Sequence, residues 1–177
     1  MTGIVIIGAG HAAGQAAASL RQAKFEGPIT IIGDEAHVPY QRPPLSKQYL
    51  AGTQLADKVY LRAEKFYADK DIQLMLDTRA TQIDPSTKTI NLDNGETIAY
   101  EKLLISTGSR PRKLSIEGSD LSGIHYLRTM DDVDGIRADV KPGANLVIVG
   151  GGYIGLEVAA VGIELGMNVH VLEMEDR

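Results

Sequence analysis

The stretch IVIIGAGHAAG, residues 4–14, decides the fold. Four consecutive aliphatic residues with no polar alternation suit a strand covered on both faces, as in a parallel sheet. A glycine-rich turn follows, then an Ala-rich run of helical character to Lys24 and a second aliphatic run, ITII, at 29–32. Strand, glycine turn, helix and strand make a βαβ unit, whose crossover helix places the two strands parallel. The unit recurs late in the chain: LVIV at 146–149, GGGYIG at 150–155, a helical stretch to Leu165 and VHVL at 169–172. An internal repeat of this kind predicts an α/β, doubly wound architecture with two Rossmann-like dinucleotide-binding units.

Between the two units, residues 73–99 alternate in short segments around 87–92 and contain Asp93-Asn94-Gly95, so they read as antiparallel strands joined by a turn. KLLIS at 102–106 reads as a further buried strand. PRKLSIEG at 111–118 brackets a charged stretch with Pro and Gly and reads as a connection between domains, with the boundary between 110 and 111.

The glycine spacing carries the first chemical expectation. Gly8 permits the tight turn out of the strand, Gly10 has no side chain to hold a pyrophosphate away from the backbone, and the small Ala13 lets helix and strand approach. Diphosphate would then meet amide groups at a helix N-terminus, where the backbone N–H groups lack partners. Asp34 and Glu35, just past the second strand, stand where an acid accepts a ribose hydroxyl, and position alone does not choose between them. In the second unit Gly150, Gly152 and Gly155 complete the pattern, with Tyr153 and Ile154 inside the loop and Glu173 ending the next strand. An acid there favours NAD over NADP, because a 2′-phosphate beside a carboxylate is repelled; Arg177 is close enough in sequence to moderate that preference. The alternative is a glycine-rich turn that only packs.

Composition removes several classes of chemistry. The 177 residues include no Cys, which excludes disulfides, thiolate metal sites, iron–sulfur ligation and cysteine nucleophiles from this stretch. No metal site is expected. A net charge of −5 and a pI near 5.3 argue against nucleic acid as a partner. The apolar stretch 3–20 lacks a cationic leader and is broken by Gly8, Gly10, His11 and Gly14. The stretch 146–172 carries Glu157, Glu164, Asn168 and His170, so neither reads as a signal peptide or a membrane span, and the expected location is the cytoplasm.

GDE at 33–35, YQRPPLSKQYL at 40–50, STGSRPR at 106–112, YLRT at 126–129 and GGGYIGLEVA at 150–159 together resemble the FAD-dependent NAD(P)H ferredoxin reductases. These belong to the pyridine nucleotide-disulfide oxidoreductase superfamily, and the putidaredoxin, rubredoxin and dioxygenase reductases are among them. The resemblance implies an FAD-binding domain over 1–110 and the start of an inserted NAD(P)-binding domain over 111–177. It also implies an N-terminal fragment, since family members are more than twice as long; both Rossmann-like units would then be incomplete on their C-terminal sides. Ala13 departs from the glycine found in many members, and the fingerprint tolerates it. Cysteine-dependent branches of the superfamily are excluded, so electrons would leave the flavin without a sulfur relay.

Residue roles follow from the resemblance. Lys47 would stand at the reactive edge of the isoalloxazine, where an ammonium stabilises the charge left by hydride arrival. Glu157 is expected to pair with Lys47 near the nicotinamide; a first-turn carboxylate stabilised by the helix dipole is the alternative. The family pattern points to Asp34 rather than Glu35 for the ribose. Arg42 would meet a flavin phosphate or form a rim salt bridge. Ala12 and Ala80 would contribute backbone groups, His11 lies in the phosphate loop as an incidental rather than a catalytic residue, Thr107 and Gly108 would line the flavin, and Arg128 matches a flavin-contacting position or makes a domain salt bridge. Lys102, Arg110, Arg112 and Lys113 form a basic cluster suited to an acidic ferredoxin or to solvent. The implied reaction is hydride transfer from NAD(P)H to FAD, followed by single-electron transfer to an iron–sulfur ferredoxin or to rubredoxin. A non-catalytic nucleotide-binding fragment, and a flavoprotein with oxygen or quinone as acceptor, remain alternatives.

Overall fold

A computed structural model describes residues 3–176. The chain divides into two compact units, Met1–Gln41 with Tyr60–Ser109, and Arg42–Val59 with Arg110–Arg177. The second unit thus includes the segment 42–59.

The first unit opens with β1 (Ile4–Ile7), α1 (His11–Gln22) and β2 (Ile29–Ile32). β1 and β2 pair in parallel, Ile4 opposite Ile29 and Ile6 opposite Ile31. In the second unit lies a short 3₁₀ helix (Pro43–Ser46) followed by α2 (Ala56–Val59); the chain then re-enters the first with α3 (Glu64–Asp69) and β3 (Ile72–Met75). β3 pairs in parallel with β2, so residues 73–75 extend the parallel sheet rather than joining the antiparallel segment expected over 73–99. A short apolar run does not encode strand direction. The connection through α3 does, because a helical crossover brings the chain back to run parallel.

Three short strands follow, β4 (Ala80–Asp84), β5 (Thr89–Leu92) and β6 (Thr97–Ala99), and these are antiparallel. The Asn94 side chain accepts from Glu96 N–H in the β5–β6 turn. β7 (Lys102–Ile105) then returns to β1, giving the order β3-β2-β1-β7. Because β1 has β2 on one side and β7 on the other, the chain reverses its direction of travel across the sheet at β1. That switch point is where open α/β sheets hold ligands.

Side-chain alternation along β1 supplies both faces of the core. Ile6 packs with Ile29, Ile31, Ala13 and Ala17 on the α1 side. Val5 and Ile7 pack with Ile32, Ile90, Leu92 and Tyr100 on the side of the antiparallel sheet. β7 departs from the expectation of a buried strand. Among the described residues it is an edge with one neighbour, and Leu104 and Ile105 are exposed.

The second unit contains α4 (Met130–Asp139), β8 (Asn145–Val149), α5 (Tyr153–Glu164) and β9 (Asn168–Leu172). β8 and β9 pair in parallel, Leu146 opposite Val169. α5 covers one face through small residues: a Cβ on Gly162 would come within 2.7 Å of the Leu146 side chain, and Ala159 is buried. Val147, Val149 and Val171 are exposed on these strands. The run of aliphatic residues predicts cover on both faces; among the described residues α5 is the one helix packed on this pair.

Candidate functional site

The first glycine cradle lies at the C-terminal end of β1. Gly8 has φ +101° and donates to Ile32 O at 2.7 Å, and a Cβ there would stand 2.4 Å from Ser106 O. Gly10 is the N-cap of α1 with ordinary extended backbone, no side chain caps the helix, and the position a Cβ would take has no atom within 4 Å. His11 and Ala12 are exposed in the first turn, and Ala13 is fully buried against the sheet. The turn thus leaves open, directly before a helix N-terminus without acidic residues, the volume that phosphate oxygens need. The residues fit a dinucleotide diphosphate.

Both candidate ribose acids have protein partners. Asp34 pairs with Arg79 Nη2 at 3.0 Å, and Glu35 accepts from the buried Tyr40 hydroxyl. Arg79 was not visible as a partner in the sequence: it is 45 positions away and becomes adjacent to Asp34 through the approach to β4. Ala80 opens β4. Thr107 and Gly108 follow β7 and are exposed, with Gly108 at φ +71°.

The second cradle repeats the geometry. Gly150 has φ +106° and donates to Leu172 O at 2.8 Å; Gly152 caps α5 and its missing Cβ also faces open space. Gly155 makes the close approach, since a Cβ there would lie 2.3 Å from Gly150 O. Tyr153 and Ile154 project into solvent. Glu173 folds back onto the loop: one carboxylate oxygen accepts from Gly151 N–H at 2.8 Å and the other from Met174 N–H at 2.7 Å. The second oxygen also accepts from Glu175 N–H at 3.2 Å, so the carboxylate is held against the loop by three backbone donors. Arg177 lies outside the described residues.

The second unit also brings Lys47 and Glu157 together. Lys47 Nζ stands 2.8 Å from Glu157 Oε1, both side chains partly exposed. Ser46 Oγ donates to Glu157 Oε2 at 2.5 Å. The Lys47 hydrogen bond, and then that of Ser46, hold the Glu157 carboxyl below the usual glutamate range against a smaller opposing effect of desolvation. Glu157 is the fifth residue of α5, not part of its first turn as the sequence spacing suggested, because Gly152 is the cap and the helix begins at Tyr153. The helix dipole acts chiefly within the first turn, so its share in holding the anion is reduced.

Arg42 precedes the 3₁₀ helix and its Nη1 donates to Arg128 O. Arg128 itself is held by backbone: its N–H and that of Thr129 donate to the Asp132 carboxylate, which forms a capping box with Thr129 at the start of α4. Arg128 Nε is buried and has no hydrogen-bond partner among the described residues. A buried guanidinium N–H without an acceptor costs desolvation energy that a phosphate or carbonyl oxygen would recover. No group of three or more potential metal ligands occurs among the described residues, and no helix among them is long and apolar enough to cross a membrane.

Comparison with known proteins gives a consistent picture. The family model described as pyridine nucleotide-disulphide oxidoreductase matches residues 2–177. The ferredoxin–NAD(+) reductase component of a 3-phenylpropionate/cinnamic acid dioxygenase from Photorhabdus laumondii is 46% identical over 97% of this chain and 43% of its own length. Rubredoxin-NAD(+) reductase of Pseudomonas putida is 42% identical over 98% of this chain and 45% of its own. Among solved structures, the ferredoxin reductase for the CYP199A2 system of Rhodopseudomonas palustris superposes with a TM-score of 0.91 at 41% identity, covering 97% of this chain and 42% of that one. The chain thus spans less than half the length of these relatives.

Proposed function

Since the chain belongs to the pyridine nucleotide-disulphide oxidoreductase family, we propose that it forms the dinucleotide-binding part of a flavin-dependent NAD(P)H reductase serving a ferredoxin or a rubredoxin. The observation that carries this reading is the pair of open glycine cradles, one per unit, each at an uncapped helix N-terminus. Two such cradles suit two dinucleotides.

In this reading the amides at the head of α1 (His11, Ala12, Ala13) and the Gly8–Gly10 turn hold the diphosphate of FAD, with Asp34 at the ribose and Ala80, Thr107 and Gly108 contributing at the rim. The α5 cradle holds NAD(P)H, with Gly150, Gly152 and Gly155 making room and Glu173 accepting the ribose hydroxyls, which favours NAD. Arg128 offers its unpartnered Nε, and the neighbouring Arg42 its positive charge, to an oxygen of the flavin cofactor. Bound FAD supplies the chemistry of accepting a hydride and releasing electrons one at a time. Lys47 supplies a fixed positive charge where negative charge develops, and Glu157 keeps its ammonium in place. The cytoplasm, where reduced pyridine nucleotide is produced, is the proposed location. Lys102, Arg110, Arg112 and Lys113 are the proposed attraction for an acidic acceptor protein.

The test is reconstitution of the chain with FAD followed by anaerobic addition of NADH. Retained yellow colour that bleaches supports the reading. Binding of ADP and FAD without bleaching supports nucleotide binding without turnover, and failure to bind either nucleotide refutes both.

A further inference from the structure

Ser46 is buried, at 4% exposure. It closes the 3₁₀ helix Pro43–Ser46, in which two consecutive prolines restrict the backbone and Leu45 N–H donates to Arg42 O, Lys47 N–H and Tyr49 N–H to Pro44 O. Leu45, Tyr49 and Leu50 around it are buried, and the Tyr49 hydroxyl donates to Asp134 on α4. The Ser46 hydroxyl is thus held on a rigid, packed turn. Its single proton points at Glu157 Oε2.

Lys47 is a different kind of group. Its ammonium ends a flexible four-carbon stem, its side chain is 42% exposed, and its other contact is a long 3.4 Å approach to Pro43 O. A mobile cation does not by itself fix the orientation of a carboxylate on another element; a buried hydroxyl with one available donor direction does. With Oε2 committed to Ser46, the remaining oxygen of Glu157 is presented at a set place, and the lysine head settles on it.

We propose that Ser46 is the positioning residue of this cluster: its hydroxyl orients the Glu157 carboxylate, and the carboxylate in turn orients Lys47. The order of control is therefore Ser46, Glu157, Lys47. What the cluster then does for flavin reduction rests on the function proposed above, whereas the order of control does not.

The two arms of the test use the whole chain. Crystal structures and a 13C titration of the Glu157 carboxyl, both without cofactor, compare wild type with Ser46→Ala, Ser46→Thr and Lys47→Met. In Lys47→Met the Glu157 carboxylate stays on the Ser46 hydroxyl. In Ser46→Ala the carboxylate turns away, the Lys47 ammonium no longer sits on it, and the Glu157 titration moves up towards the ordinary glutamate range. Ser46→Thr, which keeps the hydroxyl, restores both. The proposal is overturned if Ser46→Ala leaves Lys47 and Glu157 paired in the same rotamers with an unmoved titration, or if Lys47→Met displaces Glu157 from Ser46. In the second arm, the pH profile of NADH-driven flavin reduction is recorded with FAD bound. Its acid limb moves to higher pH in Ser46→Ala along with the Glu157 titration. A wild-type chain that shows no flavin reduction while the first arm holds would refute the function and leave the positioning role standing.

Discussion

Replacing Gly10 by alanine separates nucleotide binding from folding, and replacing Gly8 does the reverse. At Gly10 the backbone is extended (φ −88°) and the added Cβ meets nothing within 4 Å. Alanine is a poorer N-cap than glycine by about 0.5–1 kcal/mol, and it lowers the entropy of the unfolded chain by an opposing ~0.4–1 kcal/mol. The net change in unfolding free energy is therefore within about 0.5 kcal/mol of zero. The methyl group nevertheless occupies the space in which phosphate oxygens would meet the α1 amides. Loss of one charge-assisted hydrogen bond, about 1.5–3 kcal/mol, weakens binding roughly ten- to hundredfold. At Gly8, φ +101° disfavours any side chain by ~1–2 kcal/mol. The Cβ would also stand 2.4 Å from the Ser106 carbonyl oxygen, and backbone must shift to relieve it, at a further ~1–3 kcal/mol. Urea unfolding followed by circular dichroism reads the stability, and calorimetric titration with ADP reads the sites. Wild type is expected to show two ADP sites, Gly10→Ala one at near-normal stability, and Gly8→Ala a stability loss of about 2–5 kcal/mol. Two unchanged ADP sites in Gly10→Ala, or equal destabilisation by both substitutions, would refute the reasoning.

Three further outcomes follow from single contacts. Gly155→Ala places a Cβ 2.3 Å from Gly150 O and should lower stability by about 1–3 kcal/mol in urea unfolding, although the corresponding position of the first cradle is natively Ala13. The Tyr67 hydroxyl is buried without a hydrogen-bond partner among the described residues, and burial pushes its pKa up to about 12, opposed in part by Arg62. Below pH 10 Tyr67→Phe should be neutral or stabilising by up to ~1 kcal/mol. Between pH 10 and about 12 the unfolded phenol ionises while the folded one does not, so wild type loses stability there and the variant loses less, as melting curves against pH will show. Asp84, in the β4–β5 turn, accepts from the Ser86 hydroxyl first and from the Thr87 and Ser86 N–H groups, which lower its pKa to about 2. Its contribution is present above the ordinary aspartate value and is lost as pH falls through about 2, and a 13C titration should give that midpoint; a midpoint near 4 would show the turn open.

Much of the fold was legible because its determinants are local. A glycine turn between an aliphatic run and an Ala-rich helix is encoded within a dozen residues, and both cradles form as that spacing predicts. What escaped the sequence depends on contacts remote along the chain. Strand direction at 72–75 is set by the crossover through α3, and exposure of β7, β8 and β9 by which elements cover them, neither of which a run of Ile and Val records. The Lys47–Glu157 pair was expected only through the resemblance, since the two residues are 110 positions apart and either alone reads as a surface charge. Ser46, one residue before Lys47, had a signal in hindsight: two prolines before it freeze the turn, and a frozen turn can hold a hydroxyl in place.

The two cradles share a fingerprint but differ in how tightly helix and strand approach. In the first, Ala13 is fully buried and its methyl packs with Ile6, Ile29 and Ile31, so the third position of the motif adds to a core closed on both faces. In the second, Gly155 is pressed against the Gly150 carbonyl, and Gly162 against Leu146 and Val169. α5 therefore sits close on its strands at these two glycines. That closeness bears on the Ser46–Glu157–Lys47 cluster, because Glu157 lies between Gly155 and Ala159 on the same helix. The tight seat of α5 on β8 and β9 fixes the level at which Glu157 leaves the helix, as the proline-bound turn fixes Ser46. The packed turn and α5 are thus joined by the Ser46 hydrogen bond and by the Lys47 ion pair, both on the Glu157 carboxylate.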